Sequence, residues 1–154
     1  MELPHWESSW HIDGLPSPNN EVPAGKLHSF TCLLGVYLSP LLLNHQGNFV
    51  VFPRSHFLLE HFFQTHSIDL IRSQGFEALK SIDLRGAGSP IQVHVDAGDV
   101  VLCHYLLAHS IAPNSSANLR YALYYRIDAA DGASEEEREL PLTNMWLRMC
   151  LISR

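Results

Sequence analysis

The spacing of apolar residues switches along this chain from strand-like to helix-like and back. From His28 to Leu38 apolar side chains fill both alternating faces, with Phe30, Cys32, Leu34, Val36 and Leu38 on one and Leu33 and Tyr37 on the other. That predicts a central strand covered on both sides. Asn44 to Asn48 predicts a turn, and Phe49 to Phe52 a short strand stopped by Pro53. Between residues 55 and 80 the period changes. Phe57, Leu58, Phe62, Phe63, Ile68, Leu70, Ile71 and Leu79 recur at helical spacing, which predicts one or two short helices broken near Ser67 and Gly75. Strands return after the loop Gly86 to Pro90. Ile91, Val93 and Val95 alternate with polar residues. Val100 to Cys103, His109 to Pro113 and Arg120 to Ile127 follow, separated by turns at 97–99 and 114–118. Ser134 and Glu137 have the spacing of a capping box opening a short acidic helix, and the apolar tail Met145 to Ile152 is expected to pack back on the body. Many short strands with Gly, Pro and Asn turns predict a mainly β fold, a barrel or jelly roll with a short helical insert.

Composition narrows the class. At 154 residues, with no internal repeat and no linker, residues 1–154 read as one domain with a real core. Hydrophobic content of 46% against 17% charged is a globular balance. The net charge of −6 argues against nucleic acid as a partner, because phosphate binding needs a basic surface. No apolar run is long enough to span a membrane. Cys32, Cys103 and Cys150 are an odd set at wide spacing with no zinc or disulfide pattern. With no signal-peptide pattern ahead of them, they point to a reducing, intracellular and cytoplasmic setting. Ten histidines raise the weight of metal chemistry.

That weight falls first on Trp10-His11-Ile12-Asp13-Gly14. On an extended strand residues i and i+2 share a face, so His11 and Asp13 bring one imidazole nitrogen and one carboxylate together. Alone, such a tripeptide is more often a strand end with two solvated polar residues. His109 is the candidate third ligand, and Arg120 follows it after eleven residues. In a jelly roll the second strand pairs with the seventh, so residues this far apart in sequence can be neighbours. Two histidines and one carboxylate cover one face of an octahedral iron and leave three positions open. Arg120 offers a planar fork suited to a carboxylate. His104 is the rival third ligand, at the end of the preceding strand and without the arginine spacing. His94 reads as a surface residue on a strand. His56, His61 and His66 scatter around a helix and read as structural or solvated. Cys32 and Cys103 read as small buried hydrophobes.

The ordered set Trp10-His11-Ile12-Asp13, Gly47-Asn48-Phe49-Val50-Val51-Phe52-Pro53-Arg54-Ser55-His56, Ala97-Gly98-Asp99-Val100-Val101, His109 and Arg120 resembles the phytanoyl-CoA dioxygenase family, from about residue 10 to 127. The resemblance implies a double-stranded β-helix (jelly roll) and an iron(II)- and 2-oxoglutarate-dependent oxygenase. It implies His11, Asp13 and His109 as iron ligands, with no catalytic residue beyond them, and Arg120 as the partner of the 2-oxoglutarate distal carboxylate. The implied reaction joins O2 and a small or lipid-like substrate, hydroxylating it as 2-oxoglutarate is decarboxylated to succinate and CO2.

Two departures from the family pattern shape further expectations. Arg54 stands where the family usually has glycine. The family also carries a helical region and a first barrel strand ahead of its His-x-Asp, whereas here ten residues precede His11. With Arg120, Ala122 and Tyr124 inward, Tyr121, Leu123, Tyr125 and Ile127 face out, an apolar face that water does not suit. The expectation is a truncated product, a fragment, or a chain whose strand 120–127 is covered by a protein partner. The competing class is then a catalytically impaired pseudoenzyme or interaction module of the same fold. A cupin-like metal protein working without 2-oxoglutarate is a third, which would need no Arg120.

Overall fold

The computed structural model describes residues 9–16, 22–128 and Leu142. Two three-stranded antiparallel sheets face each other across the core. One has the order β4-β1-β6, formed by β1 (Cys32–Tyr37), β4 (Val100–His104) and β6 (Ala122–Ile127). The other has the order β3-β2-β5, formed by β2 (Phe49–Val51), β3 (Ile91–Gln92) and β5 (His109–Ile111). An isolated bridge from His11 to His109 extends the second sheet at its β5 edge. From β3 onward successive strands switch sheets, the winding of a jelly roll. The fold is mainly β, as the apolar pattern predicts. No helix among the described residues is long and apolar enough to cross a membrane.

Several elements differ from their sequence-based bounds. β1 starts at Cys32 rather than His28. It is the central strand, with Leu33 and Tyr37 buried, but Leu34 and Val36 on its outer side are only half-buried. Strand pairing after residue 90 stops at Gln92, and Val95 returns only as an isolated bridge to Leu41. β6 begins at Ala122, so Arg120 lies two residues outside it. The loop at 86–90 opens with the end of a 3-10 turn, Leu84–Ala87. The capping box at Ser134 and the tail from Met145 lie outside the described residues.

The insert between β2 and β3 holds α1 (Ser55–Thr65), α2 (Ile68–Gln74) and a 3-10 segment (Gly75–Ser81). α1 buries Ser55, Leu59, Phe62 and Phe63, the i, i+4, i+7, i+8 stripe of a helix lying on a core. The two expected breaks have visible causes. The Ser67 hydroxyl accepts from the Asp69 amide and caps α2. Gly75 takes a positive φ of 56° where it ends. Before α1 stands Arg54 at φ 64°, in the left-handed region. A glycine would sit there without strain; a side chain costs about 1–2 kcal/mol.

Candidate metal centre

The turn at Asp13-Gly14 is shaped by one glycine. Gly14 has φ +86°, and a Cβ there would collide with the His28 carbonyl. The close approach serves a hydrogen bond, His28 N–H to Gly14 O at 2.9 Å. Upstream, Trp10 and Ile12 bury into the core, which turns His11 and Asp13 to the other side of the segment. The expected i, i+2 placement holds, although only His11 pairs as a strand residue.

His109 is fixed from three directions. His11 N–H donates to His109 O and His109 N–H to His11 O, each at 2.9 Å, so the two residues form a closed antiparallel pair. The preceding loop is tied down by Phe52 N–H to Ala108 O at 3.0 Å and by Ala108 N–H to Ser55 Oγ at 2.9 Å. The Phe49 ring lies 5.1 Å from the His109 ring.

These contacts bring His11, Asp13 and His109 together, with one donor atom from each lying within 4.8 Å of the others. The imidazoles are 4.4 Å apart, centroid to centroid. His109 Nδ1 lies 2.8 Å from Leu107 O, so Nδ1 carries the proton and Nε2 keeps its lone pair for a ligand. Lost hydration lowers the pKa of both rings. His11 falls to about 4, with His109 adding to the shift and Asp13 opposing it. His109 is lowered against the opposing pull of the Leu107 carbonyl and Asp13. Both imidazoles are therefore neutral near pH 7, the state that ligates metal. Two neutral imidazoles and one carboxylate are a donor set that suits a divalent first-row metal.

Arg120 is half-buried on the approach to β6, with Nη1 donating to Gly47 O at 3.1 Å and its guanidinium 5.8 Å from the Tyr124 ring centre. A Cβ on Gly47 would press on the Arg120 side chain, so the glycine makes room for it. Tyr124 in turn hydrogen-bonds Tyr37, hydroxyl to hydroxyl, at 3.0 Å.

The arginine that touches the triad is Arg126. Its Nη2 lies 3.1 Å from Asp13 Oδ1, and its Nε donates to Oδ2 at 3.2 Å. Arg126 continues the inward parity of Arg120, Ala122 and Tyr124, so the alternation used for those residues also marks it. The rival ligand His104 stays apart at the end of β4, where its Nδ1 accepts from Leu106 N–H and its ring lies 5.7 Å from that of His56. His94 is exposed and bonded to Asn44 Oδ1 at 2.8 Å. His56 is less solvated than its helical spacing suggests, because its Nδ1 is buried with no hydrogen-bond partner among the described residues.

No protein-family model matches the chain. No curated protein matches it either. Among solved structures it is similar to EvdMO1, at 21% identity and a TM-score of 0.46 over 75% of this chain and 21% of that one. It is similar to SnoK, a non-heme alpha ketoglutarate dependent carbocyclase from nogalamycin biosynthesis, at 23% identity and a TM-score of 0.44 over 80% of this chain and 48% of that one. HygX from Streptomyces hygroscopicus, with nickel and 2-oxoglutarate bound, matches at 23% identity and a TM-score of 0.40 over 74% of this chain and 45% of that one. The chain thus spans less than half the length of each.

Proposed function

We propose that residues 1–154 are one oxygenase domain of the phytanoyl-CoA dioxygenase type, dependent on iron(II) and 2-oxoglutarate, acting on a small or lipid-like substrate in a reducing compartment. The observation that carries this reading is the convergence of His11, Asp13 and His109, whose donor atoms lie within 4.8 Å of one another. In this reading His11, Asp13 and His109 hold the metal. When bound, iron(II) supplies the redox chemistry that couples loss of CO2 from 2-oxoglutarate to hydroxylation of the substrate. The residues themselves bind and orient. His109, held by Leu107 O, presents Nε2. Arg120 anchors the far carboxylate of 2-oxoglutarate, exchanging its bond to Gly47 O for a charge-assisted pair. Phe49 walls the His109 side against water.

The test is spectroscopic. Iron(II) and then 2-oxoglutarate, added without oxygen, should give the weak visible charge-transfer band of a chelated 2-oxo acid. Folded protein that shows no band would sink the oxygenase reading. A band unchanged in affinity by Arg120→Ala would sink the anchor assignment.

One observation favours a second reading, an interaction module on the same fold. The outer side of β4-β1-β6 is apolar and open, with Leu34 between Leu102 and Tyr125, and Val36 between Val100 and Leu123. Metal binding without succinate release in the presence of oxygen and 2-oxoglutarate would support that alternative.

A further inference from the structure

Arg126 has no part in the mechanism above, yet it makes the closest charged contact to the triad. Its Nε donates to Asp13 Oδ2 at 3.2 Å, and its Nη2 lies 3.1 Å from Oδ1 as an ion pair. A carboxylate offers about four lone-pair sites, two on each oxygen. The guanidinium takes one of these by hydrogen bond and lies beside the other oxygen, which leaves at least two open, so a cation can be held by Asp13 while Arg126 stays in place. Arg126 is also well founded. It sits within β6, in register with Leu33 of the central strand, and the next amide link, Thr31 N–H to Ile127 O, is 2.7 Å long. Asp13 sits instead in a turn that, among the described residues, has no strand partner beyond His11 and is tied next to it by His28 N–H to Gly14 O, so the carboxylate has less to define it than the imidazoles do.

We propose that Arg126 is the positioning residue of the metal centre, fixing the Asp13 carboxylate across the gap between the two sheets so that its free lone pair faces His11 and His109. The inference rests on the metal-centre reading. Two effects of the arginine oppose each other. Its charge repels a cation, and its fork preorganises a ligand. The guanidinium side chain is 45% exposed, so water and salt screen its charge, whereas the orientation is lost outright when the fork goes. Positioning therefore wins. Removing a group that orients a metal ligand typically weakens metal binding about 10–100-fold.

The experiment is a cobalt(II) titration of the full chain, followed by its visible absorption, on the wild type, Asp13→Asn, Arg126→Gln and Arg126→Lys, with thermal unfolding of each metal-free protein alongside. Both Arg126 variants should bind cobalt about 10–100-fold more weakly and melt close to the wild type, because the arginine side of the pair is half-exposed and screened by water. Lysine keeps the charge but not the fork, so it should fail as glutamine does. Wild-type or tighter affinity in Arg126→Gln overturns the proposal, as does full rescue by lysine. If glutamine unfolds the chain, the lysine variant decides alone. A wild type that binds no cobalt, or an Asp13→Asn variant that binds it equally well, overturns the metal centre itself and the role of Arg126 with it.

Discussion

The outer sides of the two sheets are covered to opposite extents. On the β3-β2-β5 sheet, with strands of only two or three residues, Val50 is 0% exposed and Ser110 2%, although Ile91 and Ile111 are 54% and 41% exposed. On the β4-β1-β6 sheet, with strands of five or six residues and longer registers, Leu102 is 64% exposed and Tyr125 48%, while Leu33 and Tyr37 on the inner side are buried. A longer ladder is therefore not a better-buried one. Each backbone hydrogen bond nets only about 1 kcal/mol after its exchange with water, while burying one large apolar side chain is worth about 1.5–3 kcal/mol. The short sheet is the one covered on its outer side, and it carries His109 and its link to His11.

This contrast can be broken by substitution. Phe49→Ala, at the centre of the short sheet and against both His109 and Tyr124, should cost about 3–5 kcal/mol in denaturant unfolding and loosen metal binding. A loss under about 1 kcal/mol would mean that burial in the short sheet does not stabilise the fold as its coverage implies. Gly14→Ala sharpens the point at the edge of that sheet. Forcing a side chain to φ +86° against the His28 carbonyl should cost about 1–3 kcal/mol and displace Asp13, read as weaker cobalt binding. Arg54→Gly runs the other way. Relieving the left-handed conformation before α1 should stabilise by about 1 kcal/mol and raise the unfolding midpoint. Leu102→Ser, on the open side of the long sheet, should stay within about 0.5 kcal/mol. A core-sized loss there would show that the outer face is covered in solution and would erase the contrast.

Much of this was legible in the residues because it rests on local periodicity. The two breaks in the helical insert follow from Ser67 and Gly75, whose cap and positive φ are properties of those residue types. The outward set on β6 follows from strict alternation. Arg126 was readable by the same alternation, but no pattern of residue types names its partner, because Asp13 reaches it from the far end of the chain. The start of β1 and the early stop of β3 were not legible. Pairing ends where the neighbouring strand leaves, and neither neighbour is local in sequence. Nor could the strain at Arg54 be read directly. A glycine expected at that site hints at a positive φ, but only the backbone shows that the arginine adopts it.

The paired amides of His11 and His109 also bear on the order of assembly. They join residues about a hundred positions apart, and closing a loop of that length costs about 4 kcal/mol of chain entropy. Contacts of such separation form late in folding, after the local helices and the turns between neighbouring strands. The donor cluster therefore exists only once both ends of this segment have met, and the unfolded chain offers an ion nothing equivalent. An ion present at a hundred times its dissociation constant adds about 2.7 kcal/mol to the closed form alone. Occupancy of the centre would thus be recorded as a higher unfolding free energy of the whole jelly roll, through the same two segments that the paired amides of His11 and His109 join.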